Sequence, residues 1–168
     1  MSDDIPPQPP FSETDAIGIH DALARMIPRS LDDVVRKRRD LVQIGLATAE
    51  EIVVRTEKVE PGHSRDTIEN WRIVAFRFLD PHSEDGAEQI FNSRLALLGR
   101  AVGRCCPWVT SEIVGIDVEG KLVRTRNSLY TLGIHGDGEP PDHDLICLCA
   151  MTHIWGVGRY IGAPGFFY

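Results

Sequence analysis

The chain has 168 residues, enough for one domain whose core needs no cross-links. Its 25 acidic and 18 basic side chains leave a net charge of −7, which argues against general nucleic-acid binding because such binding rests on neutralising phosphates. Hydrophobic residues make up 42% of the chain, yet no apolar run approaches the roughly 20 residues of a bilayer span, so a cytoplasmic protein without a membrane segment is expected.

Residues 1–12 hold Pro6, Pro7, Pro9 and Pro10 with Asp3 and Asp4. This reads as a disordered, acidic, proline-rich tail ahead of a single globular domain over 13–168. Thr14 can cap a helix that runs to Met26 and stops before Pro28. Ser30 can cap a second helix, with Asp32 and Asp33 in its first turn. At helical spacing Leu31, Val34, Val35, Leu41, Val42 and Leu46 form one stripe. Arg38 falls inside that stripe, and an arginine on an apolar face needs a partner or a site. Its neighbours Arg36, Lys37 and Arg39 lie off the stripe and read as a wet face.

Residues 48–60 fit either a helix starting at Thr48 or a strand through Ile52-Val53-Val54, and the β-branched run favours the strand. Trp71 to Leu79 alternates as a strand, with Val74, Phe76 and Phe78 on one side and Ile73, Ala75 and Arg77 on the other. Residues 89–103 read as a helix and then a strand, broken at Gly99.

The clearest signal is a hairpin at about 108–132, two β-rich arms around the loop Asp117-Val118-Glu119-Gly120. That loop suits one residue at positive φ. Arg124 and Arg126 fall on the wet side of the second arm and are candidate contacts for an anion or a partner, although such positions are more often simply solvated. A polar connector over 133–144 follows. Leu145 to Tyr160 is apolar nearly all round and reads as a buried helix. The aromatic end, Phe166, Phe167 and Tyr168, either docks on the domain or meets a partner.

Two clusters could carry chemistry. Cys105, Cys106, Cys147, Cys149 and His153 supply zinc-type ligands, but the adjacent and alternate cysteines lack the paired spacing of structural zinc sites. Reduced cysteines acting as small apolar filler are the plainer reading. His135, Asp137, His143 and Asp144 crowd one loop and could hold a divalent metal or act as acid and base. There is no phosphate loop, serine-hydrolase elbow or dinucleotide fingerprint, and no catalytic residue is assigned.

The expected fold is α+β: N-terminal helices, an antiparallel sheet of four or five strands containing the hairpin, and a buried C-terminal helix. The expected function is that of a small acidic, non-catalytic binding protein of the immunity, inhibitor or adaptor type. It would dock on a protein partner through residues drawn from Arg38, Arg124, Arg126, Phe166, Phe167 and Tyr168, with no cofactor. The alternatives are a metal-dependent hydrolase or metal-binding protein built on the 135–144 loop, and a structural subunit of a larger assembly.

Overall fold

A computed structural model describes residues 13–82 and 90–166, so the proline-rich tail and the end residues Phe167 and Tyr168 lie outside the described residues. The chain is an α+β protein with a mostly antiparallel sheet of seven strands and helices at both ends. The strands are β1 (Val42–Leu46), β2 (Thr67–Leu79), β3 (Ile90–Ala101), β4 (Cys106–Val109), β5 (Ile113–Asp117), β6 (Leu122–Thr125) and β7 (Leu129–Leu132). Their order is β4-β3-β2-β7-β6-β5, and β1 lies beside the C-terminal half of β2. Among the described strand pairs only β2–β7 is parallel, joining Thr67 and Ile68 to Thr131 and Leu132.

The alternation read in β2 sorts its side chains into two cores. Val74 joins Ile44, Ala96, Leu98 and Val109 in a cluster closed by Leu145, Leu148 and Cys149 of α3 (Asp142–Ile154). Ile73 and Ala75 face the opposite cluster, with Leu95, Leu97, Ile113, Ile116, Val123 and Tyr130. The C-terminal helix is therefore buried along one side, as expected, but it ends at Ile154, and a separate short helix α4 (Gly158–Ile161) follows.

Four expected elements are corrected. The helix expected from Ser30 to Leu46 is a single 3-10 turn, Asp32–Val34, followed by β1. Arg38, at φ 58°, reverses the chain between them, so the helical stripe that was to contain it does not exist. Val42, Ile44 and Leu46 also fit a period of two, and pairing with β2 selects that period.

The strand expected within 48–60 is instead helix α2 (Ala49–Val53). Thr48 and Glu51 form a capping box, Glu51 N–H donating to Thr48 Oγ1 at 3.2 Å and Thr48 N–H to Glu51 Oε2 at 2.8 Å. The helix–strand pair expected over 89–103 is one unbroken strand, β3. In the hairpin, Trp108 and Val109 belong to β4 and pair with β3, so the two arms are β5 and β6. The residue at positive φ in its turn is Lys121 (φ 54°), and Gly120 is not among the left-handed positions.

Gly99 marks no break. It lies where β2 shifts register between Glu69 and Arg72, and a Cβ there would sit 2.7 Å from both Glu69 O and Ile68 Cγ2. Backbone oxygen cannot move aside as a side-chain tip can. Gly99→Ala should therefore cost about 1–3 kcal/mol through overpacking, read as a lower unfolding temperature.

Glu51 ties α2 to the sheet. Arg77 donates to it twice, Nε to Oε1 at 2.7 Å and Nη2 to Oε2 at 2.8 Å, and Ser93 Oγ adds a bond of 3.1 Å. Donation from Arg77 above all, helped by Thr48 N–H and Ser93, outweighs burial and holds the Glu51 carboxyl at about 2. A depressed carboxyl pKa stabilises the fold above the unfolded value near 4.5, and that stability is lost as pH falls towards 2. Glu51→Gln should cost about 2–3 kcal/mol at pH 7 in denaturant titration, with the deficit shrinking as the pH is lowered through this window.

Candidate functional site

An apolar groove of about 650 Å³ opens beside α3. A strand rises about 3.3 Å per residue and a helix 1.5 Å, so β2 with 13 residues spans roughly 40 Å while α3 with 13 spans roughly 20 Å. The helix covers the part of the sheet around Val74, Leu98 and Val109. Beyond it, Phe76 and Phe78 of β2 and Arg94 and Ala96 of β3 floor the groove. Leu41 and Val42 form one wall, and the chain leaving α3 forms another through Trp155, Val157, Tyr160 and Ile161. Trp155 meets Phe76 edge to face at 5.7 Å, which holds this wall to the floor. Trp155, Val157 and Tyr160 remain 41%, 44% and 52% exposed.

The groove's charged residues are Arg94, Arg126 and Glu112. Arg126 Nη2 lies 2.8 Å from Glu112 Oε2, a charge contact without the alignment of a hydrogen bond, because that buried oxygen accepts none. Arg94 leans over Phe78 with its guanidinium 6.0 Å from the ring, and no ion pair joins it to an acid among the described residues. An apolar hollow of this size with a few charged groups is the usual form of a binding site.

The structure distributes the sequence-derived candidates. Arg126 reaches the groove. Arg38 stacks on the outer side of the groove's Tyr160, 5.0 Å from its ring, and pairs with Asp40 at 3.6 Å. Its neighbours are engaged locally: Arg39 with Asp32 at 2.8 Å and Arg36 with Asp33 at 3.3 Å. Arg124 lies away from the groove lining in an ion pair with Glu57. Phe166 is half-buried against the α3 core.

The polar connector expected over 133–144 ends at Pro141, and its candidates form two histidine–acid pairs, one in the loop and one in the first turn of α3. His135 Nδ1 is 3.5 Å from Asp137, which is fully exposed, and the imidazole packs edge-on against Trp71. Buried Arg72 anchors this end by donating to the carbonyls of Asn70, Asp137 and Gly138 at 3.0, 2.7 and 2.7 Å. At the other end His143 Nε2 lies 3.3 Å from Asp144 Oδ1. Among the described residues no group of three or more His, Cys, Asp or Glu side chains is disposed to hold a metal. Burial pushes the thiols up, to about 11 for Cys147 and about 12 for Cys149, so both stay protonated at neutral pH. His153 is occupied by the carbonyl of Ala163 at 3.0 Å.

No family model, curated protein or solved structure matches this chain. The groove residues Phe78, Arg94, Trp155 and Tyr160 carry no local motif. The one signal that pointed to them is the alternation of β2, which sets Val74, Phe76 and Phe78 on one face.

Asp144 is 2% exposed, and its Oδ1 has no hydrogen-bond donor. Burial raises its pKa, against smaller opposing effects of His143 and Arg72. The folded state therefore holds the proton more tightly than the unfolded chain, and stability falls as pH climbs from the unfolded value towards the folded one. Asp144→Asn should melt at a higher temperature than the natural chain at pH 7. The difference should vanish under acidic conditions where both states are protonated.

Proposed function

We propose that the chain is a non-catalytic, cytoplasmic binding protein that docks on a protein partner through the groove beside α3. One observation carries the reading: an apolar hollow of about 650 Å³ whose wall leaves Trp155, Val157 and Tyr160 in solvent. Large exposed apolar patches mark interaction sites. Aromatic residues around a pocket are the usual anchors of such contacts. The matching partner surface is an amphipathic segment whose apolar side chains fill the groove and whose carboxylate meets Arg94. The metal-dependent alternative has less support, because its four side chains form two pairs of one histidine and one acid each.

A photo-reactive side chain placed at Val157 tests this reading. In cells it should cross-link one defined protein species that the same group at Val118, on the turn joining β5 and β6, does not capture. Recovery of the same mixture from both positions would refute it. Trp155→Ala should abolish the Val157 product while the protein remains folded by circular dichroism.

A further inference from the structure

The groove is not the only apolar surface left uncovered. Helix α1 (Glu13–Met26) is exposed over nearly its whole length, with Ile17, Ile19 and Leu23 at 57%, 49% and 57%. Ile19, Leu23 and Met26 fall at i, i+4 and i+7, the spacing of one helical face. Helices of about this length are marginal alone in water and draw most of their stability from packing such a face. Among the described residues α1 lacks that packing. Its last turn is tied down where Arg36 donates to the carbonyls of Arg25 and Met26, while the residues before it stay in solvent. Pro28, two residues after its end, is buried, which fixes where the helix leaves the domain.

We infer that α1 of a second copy of this chain is an occupant of the groove, and that two copies exchange their α1 helices. The inference rests on the proposed docking role of the groove. The chemistry of the two surfaces matches. Helix-in-groove recognition needs an apolar face with anchors one turn apart, and α1 supplies Ile19 and Leu23. The charges are complementary as well: the helix sequence holds three acids against Arg25, and the groove holds Arg94 and Arg126 against Glu112. A twofold exchange buries both copies of each surface in one closed assembly, where a one-way contact would leave one helix and one groove exposed. The second contact then forms within an existing complex, which raises the apparent affinity without further residues.

Light scattering and sedimentation of the full chain test this. The expected mass is twice the 18.7 kDa of one chain. Leu23→Arg on the exposed helix and Val157→Glu on the groove wall should each weaken the dimer by about tenfold or more while the domain stays folded by circular dichroism. Mixing the two variants leaves one natural helix with one natural groove, so a heterodimer should form that neither variant forms with itself. A monomer at high micromolar concentration, or a dimer indifferent to both substitutions, overturns the inference. A monomeric chain whose Val157 cross-linker still captures another protein would remove the exchange and leave the docking role standing. Loss of both results would remove the two together.

Discussion

Thirteen residues of β2 lie against twelve of β3, and no helix among the described residues is long enough to cover the ribbon they make. Each residue of a strand advances more than twice as far as one of a helix, so a helix of similar residue count protects only about half of such a ribbon. The chain uses α3 to seal the part bearing Val74, Leu98 and Val109. Phe76 and Phe78 continue the same apolar face past the end of that seal. The groove is therefore the remainder left by two unequal lengths, finished on its open side by the turn at Trp155.

Charge is handled differently on the two sides of the molecule. The basic run at 36–39 gives the sequence its one concentrated patch, yet its three arginines meet Asp33, Asp40 and Asp32 locally. Arg77 and Glu51 form a well-donated, half-buried pair that locks a short helix onto the sheet. Arg124 and Arg126 are matched by Glu57 and Glu112. Against that background Arg94, beside an apolar hollow and joined to no acid among the described residues, is the cation best placed to meet something from outside.

How much of this was legible in the sequence differed from element to element. β2 could be read directly because β-branched and aromatic residues fill a run of strand length, and a period of two then sorts its two faces. The β5–β6 hairpin was equally plain, from two β-branched runs around a polar turn. Val42, Ile44 and Leu46 satisfied two periods at once, and only the partner strand decided between them. Ile52-Val53-Val54 favoured a strand on propensity, but the Thr48–Glu51 capping box and the distant Arg77 prevailed. Distance of that kind also hid the groove. Arg94, Arg126 and Tyr160 are brought together by strand pairing and by the turn after α3, and no local spacing encodes such a meeting.

The parallel contact between β2 and β7 has a consequence of its own. It joins β4-β3-β2 with β1 to β7-β6-β5 through two laddered pairs, a bridge between Trp71 and His135, and backbone bonds donated by Arg65, Trp71, Thr131, Gly133 and Gly136, while packing of Ile68, Ile73, Ile116, Val123 and Tyr130 crosses the same boundary. The halves are thus held to each other both by a run of parallel backbone bonds and by a shared apolar layer. Arg65 and Asp66 precede β2, and Gly133 to Gly136 follow β7, so the two ladders become one sheet only once the segments flanking both strands are in place.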